Sequence, residues 1–175
     1  MIFKIRNIRG RLMAVALVAV LVMPVVATAE GFKPGDDTIA DIAVGNGGFT
    51  TLVQALSCTG LVGAVANPDA ELTVFAPNDD AFALAGLNAD NICGTFDNET
   101  LMSILLYHVV GERRPSPSVI RGRNKSITML SGGEIYPAGR RSLMLIANNS
   151  SANIVLPDIM ASNGIIHAID FVLLP

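Results

Sequence analysis

Apolar residues follow a helical spacing through the first part of the chain. Phe49, Leu52 and Leu56 stand three and four positions apart, which places them on one face of a helix. Pro77 closes a short run of β-branched and aromatic residues that favours a strand at residues 72–75. The helices predicted from this spacing and from helix-capping residues span residues 38–44, 49–65, 80–84 and 98–107.

The second part of the chain is patterned as short strands separated by turns. Residues 86–94 and 115–118 are predicted to be loops, the second because two prolines interrupt it. Asn163 and Gly164 indicate a hairpin, because both residue types accept a positive φ. Helices followed by strands predict an α+β fold. The predicted strands span residues 126–130, 134–136, 142–147, 152–156 and 165–174.

The first 29 residues have the features of a secretory signal peptide. Four bases precede an uncharged run at residues 12–27, and small residues at Ala27 and Ala29 fit the pattern that a signal peptidase reads. We expect cleavage after Ala29, which leaves a single domain at residues 30–175. The alternative is an uncleaved anchor, although the run is shorter than the roughly 20 residues that span a bilayer. The protein is therefore expected to be secreted or periplasmic, with no membrane span in its mature part.

Cys58 and Cys93 are the two cysteines of the chain. In an exported protein they admit one intramolecular pairing, and an oxidising compartment preserves such a bridge. We expect a disulfide between them, with two buried free thiols as the alternative. The cysteines and the two histidines, His108 and His167, lack the close ligand spacing of a zinc site. We therefore expect neither a metal nor a cofactor.

Charge is divided unevenly along the chain. Its 15 acidic and 12 basic residues give a net charge of −3, which does not favour a nucleic-acid partner. Residues 30–99 hold eleven acids and one base, and a cluster of bases follows that we call the basic ribbon. It is either a solvated face or a docking surface for an anionic partner such as an acidic polysaccharide. The basic ribbon comprises Arg113, Arg114, Arg121, Arg123, Lys125, Arg140 and Arg141.

Three segments of the sequence form an ordered set of motifs. Residues 71–86 read ELTVFAPNDDAFALAG, residues 105–110 read LLYHVV, and residues 163–175 read NGIIHAIDFVLLP. In this order and spacing they resemble the fasciclin domain family, matching its strand with a proline turn and short helix, its tyrosine-histidine motif and its closing hairpin. The resemblance covers the chain from about residue 38 onward.

The resemblance implies a wedge of β-strands flanked by a cluster of helices, in a non-catalytic protein that works outside the cell. It also implies that His108 is a hydrogen-bonding hub that reaches the turn at Asn78 and Asp79. His167 and Asp170 stand three apart on a predicted strand, so they are expected to point to opposite faces. The residues assigned to structural motifs are Asn78, Asp79, Tyr107, His108, Asn163, Gly164, His167 and Asp170.

Pro157, Asp158 and Ile159 resemble an integrin-recognition segment described for the matrix fasciclin domains of animals. Leu156 stands where those domains have an acidic residue. A structural interpretation is that Ile159 turns into the core while Asp158 starts a turn after Pro157. Asp158 and Ile159 are therefore candidate binding residues, together with the basic ribbon.

Adhesion, or attachment to a matrix, is the function that these patterns favour. The expected partner is a matrix or surface component, either an anionic polysaccharide or a protein. The alternative is a carrier that holds a small apolar ligand or pigment in a cavity between the helices and the wedge. Catalysis is not expected, because no serine lies in the strand-turn-helix elbow that exposes a nucleophile in hydrolases.

Overall fold

The protein is described here by a computed structural model that covers residues 36–121, 125–138 and 143–175. Within these ranges, no helix combines the length and the apolar character needed to cross a membrane. The predicted signal peptide lies outside the described residues. Three members of the basic ribbon also lie outside them, namely Arg123, Arg140 and Arg141.

Helices dominate the first part of the described chain and strands the second. The helices are α1 (Ile39–Gly45), α2 (Thr50–Thr59), α3 (Val62–Ala66), α4 (Asp79–Leu84), α5 (Ile92–Thr95), α6 (Asn98–Leu106) and α7 (Ser116–Arg121). The strands are β1 (Leu72–Pro77), β2 (Val109–Val110), β3 (Ile127–Thr128), β4 (Glu134–Ala138), β5 (Met144–Ile146), β6 (Ser151–Ala161) and β7 (Gly164–Ile169).

The strands form one sheet in the order β2-β1-β7-β6-β5-β4-β3. β1 and β7 run parallel, from Leu72 opposite Gly164 to Pro77 opposite Ile169. The other neighbouring strands run antiparallel. Because helices and this mixed sheet share one described unit, the predicted α+β class is confirmed.

Three predictions about the helices and the loops between them differ from the structure. The helical run predicted at residues 49–65 is divided, because Gly60 ends α2 at a φ of 72°. This left-handed conformation costs glycine little, since glycine has no Cβ. The predicted loop at residues 86–94 contains the beginning of α5, and the predicted connection at residues 115–118 contains the beginning of α7.

Two hydrophobic cores meet at the central strands. Val74 and Ala76 of β1 belong to a core that they share with the helices, whereas Phe75 belongs to a second core with Tyr107 and Ile169. Neighbouring residues of a strand point to opposite faces of a sheet, so this alternation buries β1 on both faces.

β6 continues through a segment that the sequence predicts as a turn. Asp158 has a φ of 58°, and the pairing of β6 with β7 shifts register between Leu156 and Ile159. The segment is therefore a β-bulge inside a strand rather than a turn after Pro157. Ile159 packs half-buried against the core shared with the helices, in line with the structural interpretation of its role.

The hairpin between β6 and β7 forms where it is predicted, but for a different reason. Neither Asn163 nor Gly164 has a positive φ. Glycine is required at position 164 because a Cβ there would overlap the carbonyl oxygen of Leu72 and come within 2.6 Å of Cδ1 of Ile39. The close approach of β1 to β7, rather than an unusual turn conformation, thus requires glycine at position 164.

We expect Gly164→Ala to reduce the free energy of unfolding by about 2 kcal/mol, because the added methyl group forces β1 away from β7. The measurement is urea denaturation followed by circular dichroism. Gly63→Ala is the matched control, since a Cβ on Gly63 meets nothing within 4 Å inside α3. That control is expected to raise stability by about 0.5 kcal/mol, as alanine does for glycine in a helix. Equal stabilities of the two variants would contradict the close approach.

Candidate functional site

Cys58 and Cys93 form the predicted disulfide, which joins α2 to α5. Their Cα atoms are 6.0 Å apart, within the usual range for a disulfide. Both residues are exposed. Because α5 is a single short turn of helix, its connection to α2 through this covalent bond fixes its position against the helical core.

Tyr107 follows the last residue of α6 and is fully buried. Its hydroxyl donates a hydrogen bond of 2.8 Å to the carbonyl oxygen of Glu134 in β4. The ring occupies the space beside Gly133, where a Cβ would overlap it. Tyr107 thereby connects the end of α6 to β4.

His108 is buried next to Tyr107 and holds the end of the chain. Nδ1 donates to the carbonyl oxygen of Ile104 at 2.8 Å, and Nε2 accepts from the amide of Leu173 at 2.9 Å. Burial lowers the pKa of His108 to about 4, so the ring is neutral at pH 7. The implied reach of His108 to the turn at Asn78 and Asp79 is wrong, because both ring nitrogens are bonded to backbone elsewhere.

Asn78 and Asp79 have separate structural partners. The Asn78 side chain caps α4 by accepting from the amide of Ala81 at 2.8 Å. The Asp79 carboxylate accepts from the amides of Thr50 and Thr51 at 3.1 and 2.8 Å, and so caps the first turn of α2. Burial acts to raise the pKa of Asp79, but these hydrogen bonds outweigh it and leave the pKa below its ordinary value.

Asp158, His167 and Ser116 meet where β6 and β7 contact α7. The Asp158 carboxylate accepts from the amide of Ser116 at 2.7 Å and also from its hydroxyl. Nδ1 of His167 accepts from the amide of Asp158 at 3.1 Å, and Nε2 donates to the carbonyl oxygen of Arg114 at 2.8 Å. The imidazole ring also stacks on Phe75, with ring centroids 5.5 Å apart.

This trio of residue types does not form a catalytic triad. The hydroxyl of Ser116 is bonded to a carboxylate, and both nitrogens of His167 are used by the backbone, so no base faces the hydroxyl. Burial lowers the pKa of His167. Burial acts to raise the pKa of Asp158, but the hydrogen bonds from Ser116 lower it further than burial raises it. The Asp158 carboxylate therefore stays charged and holds the beginning of α7 in place.

Asn163 is a second buried polar centre, and its side chain makes three hydrogen bonds. Oδ1 accepts from the amide of Ile39 at 2.9 Å, while Nδ2 donates to the carbonyl oxygens of Val65 and Asn67 at 2.9 and 2.8 Å. One side chain thus connects the beginning of α1, the end of α3 and the β6–β7 hairpin.

Asp170 lies just after β7 and is separate from His167. Its carboxylate accepts from the amide and from Nδ2 of Asn153 in β6, at 2.7 and 2.9 Å. Asp170 and His167 thus have different partners, and β7 ends at Ile169 rather than continuing to residue 174 as the sequence predicts.

Members of the basic ribbon have different surroundings. The guanidinium of Arg113 donates to the carbonyl oxygens of Ala161, Ser162 and Gly164, so it is used to hold the hairpin. Nε of Arg114 donates to Oε1 of Glu112 at 2.6 Å. These contacts leave two exposed bases of the basic ribbon in the described ranges, Arg121 and Lys125.

An apolar cavity of about 340 Å³ lies between α4, α5, α6 and the end of the chain. Its floor is made of buried residues that include Phe82, Leu101 and Leu105. Half-exposed Phe96 and Phe171 lie toward its opening. The sequence shows these residues only as helix and core positions, because they come from distant segments and share no motif.

Comparisons with known proteins agree with this geometry. The profile of the Fasciclin domain matches residues 47–175. The chain is 35% identical over 139 residues to Protein sll1483 of Synechocystis sp., covering 79% of this chain and 73% of that protein. It is 32% identical over 143 residues to the transforming growth factor-beta-induced protein ig-h3 of Sus scrofa, covering 81% of this chain but 20% of the pig protein.

A solved structure shows the same fold. A pair of FAS1 domains from the insect cell adhesion molecule Fasciclin I superposes with a TM-score of 0.67 at 16% identity, covering 79% of this chain and 51% of that chain. The match to the family profile includes all three sequence motifs and every described strand. The chain therefore belongs to the fasciclin domain family.

Proposed function

We propose that the protein is an exported, non-catalytic attachment domain that binds an anionic surface or matrix component. The observation that carries the proposal is the exposure of Arg121 and Lys125. The ion pair found among the described residues joins Arg114 to Glu112, so in these ranges no carboxylate lies within 4.0 Å of either exposed base. Their charges are therefore available to a partner.

The relatives support attachment as the general role. The solved FAS1 domain pair comes from a protein described as a cell adhesion molecule. That likeness concerns the fold alone. The charges of this chain are what favour an anionic partner. Long-range attraction between exposed bases and a polyanion requires no deep groove, which fits the position of both bases on the surface.

Export is supported by two independent features. The Cys58–Cys93 bridge is exposed, and exposed disulfides persist in oxidising compartments such as a periplasm or the extracellular space. The first 29 residues have the basic and apolar pattern of a signal peptide. A non-catalytic role is supported by the two histidines, whose ring nitrogens all hold the backbone.

Neutralising Arg121 and Lys125 tests the proposal. We expect the double variant Arg121→Gln/Lys125→Gln to bind immobilised dextran sulfate about fivefold more weakly, since each exposed ion pair contributes about 0.5 kcal/mol. The measurement is surface plasmon resonance. We also expect the original chain to bind more weakly at higher salt, because screening shortens the range of the attraction.

The matched control carries the same change in charge at a distant place. Val44→Glu/Ala64→Glu adds two negative charges at exposed positions of α1 and α3. We expect this control to retain most of the binding, and expect no binding of either protein to uncharged dextran. Equal losses in both variants would show that net charge alone decides binding and would contradict a docking surface.

A further inference from the structure

The apolar cavity is a feature of the described chain that attachment does not explain. We propose that it binds an uncharged, apolar small molecule of roughly 10 to 17 non-hydrogen atoms. This inference goes beyond the proposed function, because, among the residues that the structure describes, no base of the basic ribbon lines the cavity. The cavity identifies the residues that would hold the ligand if the protein acts as a carrier, the alternative to attachment that the sequence patterns leave open.

The volume of the cavity sets the size of the ligand. An engineered protein cavity of about 150 Å³ stays dry and holds a benzene molecule. The cavity here is about 340 Å³, roughly twice as large, and it falls within the range of natural ligand pockets. A two-ring aromatic compound or a small terpenoid has the corresponding size.

The lining excludes a polar ligand. Almost all of it consists of aliphatic and aromatic side chains, and the side chain that brings nitrogen atoms is His108. Both nitrogens of His108 are already bonded, to Ile104 and to the amide of Leu173. A bound hydroxyl or carboxylate would thus be desolvated without gaining a partner, which is unfavourable.

Charge around the cavity excludes an anion in particular. The segment 77–108 supplies most of the lining and carries no lysine or arginine. It does carry acids, so the carboxylate of a fatty acid would find repulsion here instead of a counter-ion. The acids of this segment are Asp79, Asp80, Asp90, Asp97 and Glu99.

The cavity has an entrance, because exposed residues line one edge of it. Buried Leu101 and Leu105 form the floor, whereas Ala85 and Leu174 are exposed at the edge of the same cavity. Phe96 and Phe171 are half-exposed between them. An apolar molecule can therefore reach the floor from the exposed edge without opening the core.

Two dyes with the same skeleton test both the site and its preference for uncharged ligands. N-phenylnaphthylamine is neutral, and anilinonaphthalenesulfonate carries a sulfonate on that skeleton. We expect the neutral dye to gain fluorescence in the cavity of the intact chain and to bind about tenfold more tightly than the anionic dye, because the sulfonate must lose water on entry. Stronger binding of the anionic dye, or no binding of the neutral one, would overturn the proposal.

Substitutions of two alanines, one in α4 and one directly after it, locate the dye. Ala85 lines the cavity at its exposed edge, so Ala85→Phe places a phenyl ring in the mouth and is expected to weaken the neutral dye about tenfold. Ala83 is exposed in α4 and does not line the cavity, so Ala83→Phe adds the same ring to the surface. We expect Ala83→Phe to keep the affinity of the original chain. Equal affinities for all three proteins would place the dye elsewhere and overturn the proposal.

Discussion

Replacing Asn163 by alanine is expected to lower the free energy of unfolding by about 4 kcal/mol, among the largest effects of any single substitution in this chain. The loss arises because three hydrogen bonds disappear together. The amide of Ile39 and the carbonyl oxygen of Val65 would remain buried without these partners, whereas the carbonyl oxygen of Asn67 keeps a hydrogen bond from the amide of Ala70. An unsatisfied buried backbone group costs about 1 to 3 kcal/mol, more than the hydrogen bond itself contributes.

The measurement for Asn163→Ala is a chemical denaturation curve, with Asn148→Ala as the matched control. Asn148 is an exposed asparagine in the connection after β5, so its truncation is expected to change stability by less than about 0.5 kcal/mol. A loss below about 1 kcal/mol for Asn163→Ala would mean that water replaces the lost side chain. In that case the hairpin would not depend on this residue.

Acidification is expected to destabilise the protein by roughly 3 kcal/mol between pH 7 and pH 4. The pKa of His108 is about 4 in the folded chain and 6.5 in an unfolded reference, because burial disfavours the charged ring. Below pH 6.5 the unfolded chain takes up a proton that the folded chain refuses until about pH 4. Stability is therefore complete above pH 6.5 and is lost progressively as the pH falls through this window.

Two measurements separate His108 from the other groups. Nuclear magnetic resonance of the imidazole ring should give a titration midpoint near 4 for His108, and urea midpoints at pH 7 and pH 5 should differ. The pKa of His167 is lowered in the same direction by burial, so some pH dependence is expected to remain in His108→Gln. Asp79 and Asp158 have lowered pKa values, and their stabilising effect is lost only below the ordinary pKa of 3.8. A midpoint near 6.5 for His108 would contradict its neutral burial.

Sequence reasoning worked where a residue acts on its immediate neighbours. Asn78 caps α4 three residues away, and Pro77 ends β1. The disulfide needed only the count of cysteines and an oxidising compartment. The three motifs together identified the family, because each contains residues that act on their immediate neighbours. The signal peptide and the beginning of the domain at residue 30 stay predictions.

Sequence reasoning failed where the partner lies far along the chain. The beginning of α7 was predicted as a loop because of its two prolines, and the carboxylate that accepts from the Ser116 amide belongs to Asp158, 42 residues later. Arg113 was grouped with the basic ribbon, but its guanidinium binds the hairpin 48 to 51 residues away. Pairings of this kind depend on the folded chain, and no periodicity or motif in the sequence reports them.

The placement of β7 has a consequence for how the domain assembles. β7 follows every other described strand in the sequence but lies between β1 and β6, so the sheet stays in two pieces until it is inserted. Its parallel partner β1 is separated from it by some 90 residues, a distance that slows the encounter of the two segments. The seven-stranded sheet is therefore completed only after β7 has been made. Such a late closure is compatible with the export proposed above, since exported chains commonly cross a membrane before they fold.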